Sequence, residues 1–369
     1  MQLNGIGNRV QGKHVSAAVR PLTRLTRLGL RFVYNEEPDD AASDADEDGD
    51  DEQDSRTTFP WASALCRLVK LQELRFTADK DPTGVWGASV KGALPAALSS
   101  LTALRNLTVV GLDTYKVHNN RDQPLLPALP ALETAELELH TLSNVFPGLG
   151  LWTIDGPDPG QQVVLSRIVS LRLALRYNAE AGQLYDSTLL PTIVAPALTE
   201  LTLCGMWLQP DSSELSWLPS LPKLRRLVLT GLEAQSTELP KGVTACSGLT
   251  ELVLDGIKID ADDGPVLLRQ LLPAGPYLSK LVRLGLSRNA FGAVPSCLAA
   301  ATALELLDLA GQQVDAAGCQ CGKHAASLQG LQVLEKLIRL RGVILCGSRA
   351  AEDDICRFRA SHPHVTVTM

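Results

Sequence analysis

The feature that most limits what this chain can become is a leucine-type register that returns ten times. It is plainest at Leu198-Thr-Glu-Leu201-Thr-Leu203, Leu224-Arg-Arg-Leu227-Val-Leu229, Leu249-Thr-Glu-Leu252-Val-Leu254, Leu281-Val-Arg-Leu284-Gly-Leu286 and Leu304-Glu-Leu-Leu307-Asp-Leu309. The other copies are Leu25-Leu28-Leu30, Leu71-Leu74-Phe76, Leu104-Leu107-Val109, Leu132-Ala135-Leu137 and Ile168-Leu171-Leu173, each apolar at its first, fourth and sixth places. Their starts lie 46, 33, 28, 36, 30, 26, 25, 32 and 23 residues apart. A period of this size defines a whole fold, because each unit must bury its apolar face against the next.

A second signature comes after the ladder, which is often closed by a Gly and an apolar residue: Val109-Val-Gly-Leu112, Leu203-Cys-Gly-Met206, Leu229-Thr-Gly-Leu232 and Leu254-Asp-Gly-Ile257. Ladder, period and closing phrase together resemble the leucine-rich repeat superfamily, and the resemblance covers nearly the whole chain. It implies an α/β solenoid of horseshoe form, with a concave parallel sheet and an irregular or short-helical convex side. The family pattern puts Asn at the last place of the closing phrase, where its amide bonds backbone groups of neighbouring coils. Here Leu286-Ser-Arg-Asn289 keeps it. Coils with Leu, Met or Ile at that place must satisfy their buried carbonyls in another way, which marks a divergent subclass.

The opening residues Leu3-Asn-Gly-Ile6 repeat the closing phrase, and Leu3 stands one period before Leu30. Leu3 is therefore expected in a strand stacked on the coil of Leu30, as if the chain began mid-coil with its N-terminus truncated or covered by a partner. At the other end Leu328 to Arg341 has helical spacing, Gly342 to Cys346 reads as a short buried strand, and Ala350 to Ala360 reads as a helix before His364-Val-Thr-Val-Thr368. The expected division is a repeat solenoid over 1–322 and helix/strand capping repeats over 323–369. That helix-then-strand order is similar to the ribonuclease-inhibitor-like version of the repeat.

Composition agrees with this. Hydrophobic residues make up 45% of the chain and aromatics 4%, as expected where small aliphatic side chains fill a stacked interior. No apolar run approaches the ~18–20 residues that cross a bilayer, and the first twenty residues lack a signal-peptide core. Eight cysteines are scattered instead of clustered at the ends, which argues for reduced thiols and a cytoplasmic setting. The net charge of −7 hides twelve carboxylates between Glu36 and Asp54, so the rest of the chain sums to +5. Such a block repels itself and buries nothing apolar, so 36–56 is read as a disordered acidic loop.

Several motifs point to chemistry, and each has a plainer reading. Asp44-Ala-Asp46-Glu-Asp48-Gly49 matches the start of a calcium loop, but the bidentate Glu required at place twelve is Ser55, so a solvated loop is favoured. Cys319-Gln-Cys321-Gly-Lys-His324 offers zinc-type ligands, with Cys346, Cys356, His362 and His364 downstream, at no standard knuckle spacing; a connecting loop is favoured. The sequon Asn106-Leu-Thr108 falls inside an expected strand and is taken as chance. His14, His118 and His140 sit in different coils, and no phosphate loop, nucleophile elbow, zinc-protease or kinase signature is present. No enzyme, metal or cofactor is expected.

The outward places of the strands are the candidate site. Place three runs Arg27, Glu73, Asn106, Thr134, Ser170, Glu200, Arg226, Glu251, Arg283, alternating in sign from Glu200 onward. Parallel stacking should turn these into cross-strand ion pairs. Place five runs Gly29, Arg75, Thr108, Glu136, Arg172, Thr202, Val228, Val253, Gly285, Asp308, and Val228 beside Val253 should expose an apolar strip on the concave face. An apolar centre rimmed by charge is the anatomy of a protein-binding patch, which selects Arg172, Glu200, Thr202, Arg226, Val228, Glu251, Val253, Arg283 and Asp308. Long inserts at Thr77–Leu98, Asp113–Leu129, His140–Val164 and Tyr177–Leu198 carry Trp86 and Trp152, expected to pack on the solenoid.

The expected function is a non-enzymatic scaffold or adaptor that binds a protein on its concave face. No nucleic acid is expected, since positive residues alternate with acids, and no membrane insertion or small-molecule substrate is expected either. The resemblance also implies two alternatives. One is the substrate-recognition subunit of a ubiquitin ligase; the other is a structural component of the ciliary axoneme or cytoskeleton.

Overall fold

The computed structural model describes residues 2–7, 17–33, 62–78, 98–110, 126, 129–139, 162–175, 190, 192–205, 207–208, 215–231, 233–234, 239–259, 272–289, 293–311, 329–348 and 350–369. The acidic block 36–56, the Cys319–His324 motif, Trp86, Trp152, His14, His118 and His140 lie outside them. The chain divides into two compact units, Met1–Leu151 and Trp152–Met369.

In the first unit, five parallel strands are hydrogen-bonded in chain order: β1 (Gln2–Gly7), β2 (Arg27–Val33), β3 (Glu73–Ala78), β4 (Asn106–Val110) and β5 (Thr134–Leu139). Leu3 lies in β1 opposite Leu30, the stacking expected from the period. From β2 to β5 the repeats align place for place, Leu28 with Leu74, Leu74 with Leu107 and Leu107 with Ala135.

The second unit contains β6 (Gln162–Val164), β7 (Ser170–Leu175), β8 (Thr192–Val194), β9 (Glu200–Cys204), β10 (Trp207–Leu208), β11 (Arg226–Thr230), β12 (Glu233–Ala234), β13 (Glu251–Asp255), β14 (Lys258–Ile259), β15 (Arg283–Gly285), β16 (Leu306–Asp308), β17 (Gly342–Ile344) and β18 (Thr366–Thr368). Its main parallel sheet runs β7, β9, β11, β13, β15, β16, β17, β18, and Leu171, Leu201, Leu227, Leu252, Leu284, Leu307 and Val343 pair in one unbroken row. Short accessory ladders join β10, β12 and β14, and β6 with β8.

Alternation explains the core. Side chains at places four and six leave an extended strand on one face, and there Leu201, Leu227, Leu252, Leu284, Leu203, Leu229, Leu254 and Leu286 are all buried. Place one is buried as well from Leu71 to Leu340; Leu25, at the start of the first full copy, is half-buried.

A run of three-residue turns brings the chain into most of the repeat strands. Leu218, Leu221 and Leu224 donate their amides to the carbonyls of Leu215, Leu218 and Leu221, and Leu98–Leu104 and Leu331–Leu340 obey the same rule in their own coils. Mainly every third amide is used on this approach, which is why Pro219 and Pro222, with none to give, fit between the leucines. On entry, the carbonyl of place two accepts two amides from the next coil: Thr199 from Arg225 and Arg226, Arg225 from Thr250 and Glu251.

The C-terminal segment keeps its expected order. A 3-10 turn (Leu331–Lys336) precedes β17, and the helix Glu352–Ser361 precedes β18. The first of these is tighter than the α-helix that apolar spacing suggests, because Gly330 and Leu331 open the same three-residue approach seen in earlier coils.

Candidate partner-binding face

Strands β9, β11, β13, β15, β16 and β17 are each followed by a left-handed residue at place eight. These are Gly205, Gly231, Gly256, Arg288, Gly311 and Gly347, with φ between 56° and 70°. Their amides form a ladder of their own, Gly205 to Thr230 O at 3.0 Å, Gly231 to Asp255 O at 2.9 Å, Gly256 to Ser287 O at 3.0 Å and Arg288 to Ala310 O at 2.8 Å. Coils without the family's Asn are linked in this way. Where Asn289 is present, its fully buried amide donates to Leu254 O at 2.6 Å and accepts from the Ile257 N–H at 2.8 Å. Ser348 does the same work two coils later, donating to the Leu309 carbonyl.

Leucine rungs in register, a buried Asn between coils and a recurrent left-handed exit, mostly glycine, decide the fold. It is a leucine-rich-repeat fold. No family model and no curated protein matches the chain. Among solved structures, a leucine-rich-repeat protein of Leptospira interrogans is similar over 100% of both chains, at 16% sequence identity and a TM-score of 0.29.

Places three and five of each repeat point away from the leucines, so register alone assembles the open face of the sheet. In the second unit Ser170, Glu200, Arg226, Glu251, Arg283 and Leu306 line up at place three. Arg172, Thr202, Val228, Val253, Gly285, Asp308 and Ile344 line up at place five. All nine residues expected from the sequence therefore share this face.

Two expectations are corrected there. Val228 is buried, at 8% exposure, instead of forming an exposed strip with Val253, and Thr202 beside it is buried at 9%. Strands about 4.8 Å apart wall in a side chain that has neighbours on both sides, as Val228 has in Thr202 and Val253. Val253 faces Gly285, which offers no wall, and stays half-exposed. Its methyls lean into the gap, so that a Cβ on Gly285 would lie 3.1 Å from Val253 Cγ1.

The second correction concerns charge. Of the four alternating residues, Arg226 and Glu251 pair at 2.9 Å, while Glu200 accepts from Ser170 Oγ at 3.4 Å. Arg283 is exposed and, among the described residues, makes no ion pair or side-chain hydrogen bond. Once Arg226 has committed to Glu251, the residues flanking the pair, Glu200 and Arg283, are left out of it. In the first unit Arg27 and Glu73, also adjacent at place three, pair at 3.4 Å.

Sequence reasoning passed over the half-buried Leu306 and Ile344, which extend the apolar part of the face: Leu306 interrupts a row otherwise read for charge, and Ile344 falls in the segment read as a cap. It also missed the Asp255 cluster at place seven. Ser287 Oγ and Arg288 Nε both donate to Asp255 Oδ1 at 2.9 Å, and Arg288 Nη2 bonds the other oxygen. Burial pushes the Asp255 carboxyl up, but these hydrogen bonds and the guanidinium charge outweigh it and hold it below its ordinary value. Asp255 in turn raises Arg288.

Other shifted groups sit away from the open face. Burial lifts the Cys246 and Cys297 thiols to about 11, which disfavours the thiolate; Cys246 is buried in the core and Cys297 is half-buried. Burial also raises Tyr277, whose hydroxyl donates to Pro273 O at 2.7 Å. Among the described residues no group of three or more His, Cys, Asp or Glu could hold a metal ion, and no helix is long and apolar enough to cross a membrane. Cys346, Cys356, His362 and His364 are described; His362 stacks on Phe358 at 4.8 Å and bonds Ser361 Oγ at 2.9 Å. Asn106 of the sequon is exposed in β4.

Proposed function

We propose that this chain is a non-enzymatic scaffold or adaptor, working in the cytoplasm, that receives a protein partner on the open face of β9 to β17. The observation that carries this reading is the combination of half-exposed Val253, Leu306 and Ile344 with a rim on which Arg226 and Glu251 neutralise each other. Apolar area with little uncompensated desolvation at its border is what a partner can cover with gain. The backbone beneath it is tied into a continuous ladder, so little ordering entropy is lost on binding.

The test is affinity capture from native lysate with wild-type protein and the double variant Val253→Asp/Leu306→Asp. Both positions are partly solvated, so the double variant should keep the wild-type circular dichroism and melting curve while losing the captured partner. Val228 is unsuitable for this purpose, because an aspartate at that buried position would unfold the coil. A folded double variant that captures the same protein as wild type overturns the reading.

A further inference from the structure

Resting on that reading, we propose that the part of the face around Arg283 takes an extended acidic peptide segment, one that sets a carboxylate beside an apolar side chain. Most neighbouring charges are already engaged: Arg226 with Glu251 at 2.9 Å, Arg341 with Glu305 at 4.0 Å, and Asp308 with the Ala310 N–H at 2.9 Å. Arg283 stands exposed with no such partner among the described residues. Its guanidinium offers a planar fork of donors matched to a carboxylate.

The floor beside it is apolar and low. Arg283 lies opposite Leu306 in the sheet, and Gly285 lies between Val253 and Asp308. Val253 leans over Gly285, and Leu306 leans over Gly342, where a Cβ would come within 2.9 Å of Leu306 Cδ1. Two glycines thus let two apolar side chains lie flat, leaving Arg283 raised at the border of a shallow surface that continues to Ile344. An extended segment can lay an apolar side chain on this floor and reach the guanidinium with a carboxylate. A nucleic-acid backbone needs several unpaired cations, whereas around Arg283 the described residues include Glu251 directly beside it and Asp308 opposite Gly285.

The experiment is selection from a random linear peptide library displayed on phage, against the full chain and the variants Arg283→Glu, Val253→Asp and Leu306→Asp, each checked for unchanged circular dichroism. Wild type should enrich peptides with Asp or Glu next to a large apolar residue. Arg283→Glu should weaken those peptides by about tenfold or more and enrich Lys or Arg at the same position. Peptides lost with Val253→Asp and Leu306→Asp but indifferent to Arg283→Glu overturn the acidic specificity and leave the proposed face standing. Enriched peptides indifferent to all three variants overturn both. No enrichment overturns the peptide inference, and the lysate capture then decides the broader one.

Discussion

Asn289 reaches across one coil to Leu254, donating from Nδ2 to its carbonyl at 2.6 Å while the other end of the amide accepts the Ile257 N–H. The side chain is fully buried, so no water can replace either bond. Asn289→Leu keeps the volume and leaves a buried carbonyl and a buried amide without partners. It should lower unfolding free energy by about 2–4 kcal/mol, read from the urea midpoint. A loss under about 0.5 kcal/mol would mean that the ladder at place eight suffices without the Asn.

Gly242 packs against the backbone at Leu215, and a Cβ there would sit 1.9 Å from the Leu215 carbonyl oxygen. Neither partner can yield, since Leu215 is itself held at φ 57°. Gly242→Ala should therefore cost about 2–3 kcal/mol or more in a thermal melt. Gly256→Ala is the matched control: its added Cβ meets open space, and the penalty is the left-handed φ of 62°, about 1 kcal/mol. If the two variants melt together, the collision at Leu215 is relieved by movement.

Asp255 titrates below its ordinary value when folded, so its contribution is complete above the unfolded Asp pKa near ~3.9 and drains away as pH falls through that range. Arg288 is 71% exposed, which screens the pair and limits the effect to about 1 kcal/mol or less. Asp255→Asn should lower the urea midpoint at neutral pH, and the gap from wild type should close on acidification below about pH 4. A gap that stays constant down to pH 3 would show that the carboxylate charge contributes nothing.

Much of this architecture could be read from the leucines, because places one, four and six are fixed by a backbone period that is local to each repeat. The pairing of Leu201 with Leu227, or of Leu3 with Leu30, comes from counting alone. Asn289 was legible for the same reason. What counting could not give is competition between coils. Whether Arg226 turns to Glu200 or Glu251 depends on side-chain choices roughly a repeat away in either direction, and Val228 is buried because of Thr202 and Val253 while Val253 is spared by Gly285. Ser348 as a substitute for the family amide, and Arg288 in a left-handed position elsewhere given to glycine, carry no residue-type signal that points to those roles.

The turns that lead into most of the repeat strands have one last consequence. Since Leu221–Leu224 and its counterparts fix where a strand begins, the length of the connection before them has no bearing on the strand's own register. Starts of successive repeats vary from 23 to 46 residues apart, and the rungs between β2 and β5 and between β7 and β18 still meet without slippage. Loop growth or loss is thereby decoupled from the alignment of the sheet, which lets the connecting segments diversify while the surface built by the strands keeps its geometry.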